Sequence, residues 1–291
     1  MSGPAELAIA AGVLADAGLK ATAVLGLGWV VARALRHHSA ALRHAAWTAA
    51  FAALPLLPWL SAARGPEVAI DAPWLVAVWG LGAACAGLPV VLGLLRLRRL
   101  QSLAIPDPTA PNVLHSDQVG GPLTWGLLQP VVVLPACAQA WPPSHRAAAL
   151  AHEDAHIQRR DWGVHLAVWA VSALFWFNPL VWLARQELAR EAEHAADDAV
   201  LAQGVRPSEY AALLVSLARS GGPVAALGTG STAVGARVRA ILAPRVRSPR
   251  RWPVWVAALL VALLALPALA AWPVWVAPQA AQTCEVAPWA L

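Results

Sequence analysis

Ala151-His152-Glu153-Asp154-Ala155-His156, followed by Ile157-Gln158-Arg159-Arg160-Asp161-Trp162, is the stretch from which the rest of the chain is read. In a helix, His152 and His156 stand four residues apart and project from one face, with Glu153 beside them. Two neutral imidazoles so placed form half of a zinc-hydrolase site. They hold Zn2+, the adjacent carboxylate takes a proton from the water at the metal, and a third ligand must come from elsewhere.

That half-site is embedded in a sequence of 291 residues that is 59% hydrophobic and only 13% charged. Soluble domains carry roughly a quarter of their residues as charges, so the composition points to a membrane protein. The apolar runs 17–35, 45–62, 74–95 and 252–272 each approach the roughly 20 residues that span a bilayer as a helix, which predicts four transmembrane helices. Sixteen Trp against one Tyr fit this reading, because Trp59, Trp74, Trp252 and Trp272 fall at run ends where amphipathic rings favour the interface. Few ionisable groups lie inside the runs, which speaks against a transporter. Asp16 and Lys20 read as an i, i+4 ion pair at a helix end with Lys20 reaching outward, and they interrupt what would otherwise resemble a cleavable signal. Cys85, Cys137 and Cys284 are too scattered for a disulfide framework or a cysteine metal site.

Positive charge decides orientation. It gathers at 36–44, at Arg96-Leu97-Arg98-Arg99 and at 245–251, placing these loops in the cytoplasm. The loop 64–71, with one Arg against two acids, then belongs outside, as do both termini. The expected organisation is three transmembrane helices within 1–99, a cytoplasmic domain over 100–248, a fourth helix at 249–272, and a short extracytoplasmic tail at 273–291.

Within 100–248 a Pro-rich connector leads to a short strand at 112–115. A second strand follows in Gln129-Pro130-Val131-Val132-Val133-Leu134-Pro135, where two prolines bracket a β-branched run as in an edge strand that could pair with an extended peptide. Ser144 suits the N-cap of the motif helix. The apolar run 162–183 is nearly long enough to span, but crossing would put everything after it on the opposite side from His152 and His156. Asn178-Pro179 breaks it, so it is expected to form a non-crossing apolar hairpin. Residues 185–201 form a strongly helical segment rich in acids, in which Glu191, Glu193, Asp197 and Asp198 are all chemically able to be the third ligand. A helix is expected from Pro207, residues 228–232 read as a flexible connector, and 238–243 as a short basic helix.

In order along the chain, several motifs resemble the membrane-integral gluzincin peptidases of the BlaR/MecR antirepressor type. They are the Lys20 region, the loop 37–43, Gly126-Leu127-Leu128-Gln129-Pro130, the motif helix, Arg159-Arg160-Asp161, Leu174-Phe175-Trp176-Phe177-Asn178-Pro179-Leu180-Val181-Trp182 and 190–197. The resemblance implies a mainly α, integral membrane zinc metallopeptidase with a cytoplasmic-facing catalytic domain. It implies His152 and His156 as ligands, Glu153 as general base, Glu193 as third ligand, and Asp197 orienting an imidazole from behind. Arg190 and His194 are the candidates to assist the scissile carbonyl. The family often has Cys where this chain has Ala196. No penicillin-binding domain follows the last apolar run, so β-lactam sensing is not expected. The implied partners are the lipid bilayer and a protein or peptide substrate, a transcriptional repressor by analogy, with no direct nucleic-acid binding. The competing reading is a non-catalytic membrane adaptor or scaffold with structural zinc. Glu153 argues against it, since a structural site has no use for an acid beside its first histidine.

Overall fold

A computed structural model of the chain describes residues 3–64, 70, 72, 74–219 and 231–243. The expected helix at 252–272, the basic cluster before it and the tail lie outside the described residues. The described part is mainly helical with a small sheet.

The first helix, α1 (Pro4–Ala34), starts well before the apolar run. This places Lys20 in mid-helix and overturns its outward reach. Lys20 is buried, paired with Asp16, and donates to Ser61 Oγ at 3.2 Å. After Ser39 come α2 (Ala40–Ala53) and, past a single 3-10 turn, α3 (Leu57–Arg64). The break falls where Pro55 and Pro58 remove backbone donors. α4 (Trp74–Leu103) runs on through its basic end almost to the first strand. Three segments, Glu6–His37, Ala40–Ala63 and Trp74–Leu103, are long and apolar enough to cross a membrane. α1 and α2 bury small side chains (Ala17, Ala21, Ala46, Ala50) against Val181, Ala184 and Leu188, which lets these helices approach closely. α4 buries none of its apolar window, so its Val78, Leu81, Leu88 and Leu92 are exposed.

The sheet comprises β1 (Ile105–Asp107), β2 (Ala110–Ser116), β3 (Leu123–Trp125) and β4 (Val131–Pro135) in the order β1-β2-β4-β3. The β-branched run is therefore not the edge expected from its prolines. β4 is an inner strand, parallel to β2 and antiparallel to β3. Pro130 precedes the strand and Pro135 ends it, so neither interrupts its ladder, and Val133 and Leu134 are fully buried. The edges are β1 and β3, and β3 is returned onto β4 by a turn in which Gly126 adopts φ +109°. A Cβ there would stand 2.6 Å from Gln129 O, so the turn requires glycine.

α5 (Pro143–Arg159) begins with Pro143 and Ser144 already inside it; the residue before is Pro142, and no side chain caps the helix. Arg160 then adopts φ 57° and ψ 35°, a sharp left-handed corner from which α6 (Asp161–Leu174) starts. The run 162–183 is split at the expected place. A turn at 175–178 precedes α7 (Pro179–Ala202), whose N-cap Asn178 accepts from Leu180 N and donates to Thr22 Oγ1 of α1 at 3.0 Å. Trp79 Nε1 of α4 donates to Leu174 O at 2.9 Å, and Trp176 Nε1 to Trp79 O at 3.2 Å. A Cβ at Gly82 would stand 2.1 Å from the Trp176 ring. α8 (Pro207–Arg219) and α9 (Ser231–Leu242) complete the described residues. α9 includes Ser231 and Thr232, which had read as connector. A second core of Ala148, Val200, Tyr210, Leu213 and Ile241 packs α8 and α9 on the motif side.

Candidate metal centre

The α5 spacing puts both imidazoles on one face, with His152 Nε2 and His156 Nε2 3.2 Å apart. α7 brings Glu193 against them, Oε2 at 3.6 Å from His152 Nε2 and Oε1 at 3.7 Å from His156 Nε2. Among the described residues, these three side chains have ligand atoms that all lie within 4.8 Å of one another. α7 is tied to α2 by Arg43, whose Nε and Nη2 donate to the two oxygens of Glu191 at 2.8 Å each. Arg159 Nη2 also donates to Ala192 O at 2.9 Å.

Each imidazole has an acceptor behind its Nδ1. His156 Nδ1 lies 2.7 Å from Asp161 Oδ2, a carboxylate aimed back by the Arg160 corner and also paired with Arg159. His152 Nδ1 lies 3.0 Å from Tyr210 Oη and 3.4 Å from Asp197 Oδ1, and Tyr210 Oη donates to Asp197 Oδ1 at 2.8 Å. With the protons held on Nδ1, both Nε2 lone pairs face one point together with a carboxylate. Lone pairs this close repel unless a proton or a metal cation lies between them. Three ligands at 2.0–2.1 Å from a tetrahedral ion would stand roughly 3.3–3.4 Å apart, close to the observed 3.2–3.7 Å separations. The donor set thus fits a divalent metal.

The electrostatics follow from burial opposed by partners. Burial pushes the Glu193 and Asp197 carboxyls up, but Arg237 and the imidazoles outweigh it and hold both below the usual carboxylate range. Asp161 is likewise held down by His156, His44 and Arg159 against the effect of burial. Burial would lower His152, but Asp197 and Glu193 raise it to about 9. Burial lowers Arg237, yet Asp197 and Glu193 hold it well above its ordinary value. Burial and Asp197 together push the Tyr210 phenol up.

Glu153 is buried one residue from His152, and its Oε2 accepts from Thr124 Oγ1 of β3 at 2.7 Å. Thus His152, His156, Glu193 and Asp197 come together, and Glu153 follows His152 on the same helix. His194 is buried on α7, whereas Arg190 is half exposed and paired with Glu187 at 2.9 Å. Arg237 from α9 brings its guanidinium to the carboxylates, 2.7 Å from Glu193 and 2.6 Å from Asp197. Sequence reasoning missed Arg237 and Tyr210. Their faint signals were an arginine just before the short basic helix expected at 238–243 and the chain's single tyrosine.

Two histidines and a glutamate on packed helices, beside helices of membrane length, define the class as a membrane metallopeptidase. Residues 98–241 match the model of the BlaR1 peptidase M56 family, which supports the resemblance to the BlaR/MecR type. The chain is also similar to the regulatory protein BlaR1 of Bacillus licheniformis, 31% identical over 87 residues that are 30% of this chain and 14% of that protein.

Proposed function

We propose that this chain is a zinc-dependent endopeptidase that cleaves a protein substrate at the cytoplasmic face of the plasma membrane, as a step of regulated proteolysis such as repressor inactivation. The observation that carries the reading is the convergence of His152 Nε2, His156 Nε2 and Glu193, with Glu153 the residue after His152 on α5. His152, His156 and Glu193 would hold Zn2+, which supplies Lewis-acid polarisation of a carbonyl and a more acidic water. Glu153 takes the proton of the attacking water and delivers it to the leaving nitrogen. Thr124 holds one oxygen of Glu153, which fixes the carboxylate for that transfer. β3 is an edge strand beside this group, so an extended substrate can add to it by backbone hydrogen bonds. Asp161 and Asp197 keep the imidazoles in the Nδ1–H form.

Basic loops around 36–44 and 96–99 support the cytoplasmic placement. A hairpin at 162–183 that returns without crossing keeps Glu193 on the same side as His152. The decisive experiment is Glu153→Gln in the full chain: the variant should retain one bound zinc and lose proteolysis. Continued processing of the native substrate by that variant, or a wild type that binds no metal, overturns the reading. Orientation is tested by leaving Cys137, which is exposed, as sole cysteine through Cys85→Ser and Cys284→Ser. A membrane-impermeant maleimide should then label only permeabilised cells.

A further inference from the structure

The polar groups that the His-Glu motif does not explain converge on one guanidinium. Arg237 Nη1 is 2.7 Å from Glu193 Oε2, while its Nη2 and Nε donate to Asp197 Oδ1 and Oδ2 at 2.6 and 3.0 Å. Nη2 also stands 3.4 Å from His152 Nε2. Asp197 is wholly buried and the Arg237 side chain is 14% exposed. We propose that Arg237 is a positioning residue of the metal centre, holding one oxygen of Glu193 and both oxygens of Asp197, so that the ligand set is complete only when α9 is docked. This rests on the metallopeptidase reading above.

Three physical arguments support it. Two carboxylates in one cluster repel each other, and Asp197, removed from water, needs a cation. A planar fork reaches two carboxylates at once, which a single ammonium cannot do with the same geometry. With Oε2 tethered, Glu193 can no longer swing freely and presents Oε1 towards His156, while Asp197 is fixed where it and Tyr210 keep the His152 proton on Nδ1. The tether spans 44 residues from α7 to α9, so α9 and the ligand helix are coupled through the site itself and not only through the apolar core formed by Val200, Tyr210 and Ile241.

The test uses detergent-solubilised full-length protein, with Zn2+ affinity read by competition against a chelating dye and ligand geometry read from the absorption bands of bound Co2+. Arg237→Gln should weaken Zn2+ binding by roughly 10- to 100-fold and shift the Co2+ bands. Arg237→Lys keeps the buried charge, so it guards against simple misfolding; it should melt near wild type yet recover little of the affinity. If Arg237→Lys, or a folded Arg237→Gln, binds Zn2+ within about twofold of wild type with unchanged Co2+ bands, the inference is overturned. Should wild type itself bind neither metal, the metallopeptidase reading fails with it. A wild type that loads metal and cleaves beside an equally tight Arg237→Lys overturns this inference alone.

Discussion

His156 takes its support from Asp161 and Arg159, both within five residues of it, whereas His152 takes its support from Asp197 on α7, Tyr210 on α8 and Arg237 on α9. The first arrangement is complete once α5 turns the Arg160 corner. The second needs three further helices packed in place. The two imidazoles are therefore alike as ligands but differ in what each asks of the fold, and variants on the two sides should separate.

The largest effect is expected for Asp197→Ala, which strips Arg237 and Tyr210 of their buried partner. Breaking such a pair costs about 3–5 kcal/mol, which should be visible as a large drop in chemical denaturation midpoint together with loss of metal. On the other side, Asp161→Asn should lower zinc affinity roughly 10- to 100-fold in a protein that still folds, read by chelator competition. Greater destabilisation by Asp161→Asn than by Asp197→Ala would break the comparison. Tyr210→Phe removes one hydroxyl between His152 and Asp197 and should cost about 1 kcal/mol, measured by the same denaturation.

A control outside the centre is Asp107 of β1, which accepts from Thr109 and His115 and is paired with Arg146 of α5. Those hydrogen bonds, chiefly from Thr109 and His115, hold its carboxyl below the usual range. A depressed carboxyl stabilises the fold above its unfolded value near pH 4, and that contribution disappears as pH falls through the lower folded value. The melting temperature should therefore decline on acidification below about pH 4, and Asp107→Asn should make that acid limb shallower. The smallest effect is expected for Arg190→Ala. Its pair with Glu187 is half exposed, so stability should change by less than about 1 kcal/mol, and peptide cleavage should be unaltered.

This contrast also explains what was readable beforehand. His152, Glu153 and His156 follow from the helical period, and the break at Asn178-Pro179 follows from proline's missing donor, because each is a local constraint. Glu193 was one of four chemically equivalent acids until the family resemblance singled it out, since which face of α7 meets α5 depends on packing. Arg237 lies 81 residues from His156 in the chain and has no local signature. The inner place of β4 was missed for a similar reason. Prolines at both ends of a run fit an edge strand or a short inner strand equally well, and only the pairing of β2 and β3 on either side of β4 decides.

The contact of Gly82 with Trp176 has a mechanical meaning. α4 is a rod of 30 residues, about 45 Å long, and at Gly82 the indole sits where even a methyl group would collide. Turning the rod by one residue, about 100°, would drive a side chain into that socket. α4 is thus keyed to the turn between α6 and α7 and cannot spin independently of it. A push or twist applied anywhere along the rod must be shared by the hairpin, and α7 is the lever on whose far arm Glu193 is mounted.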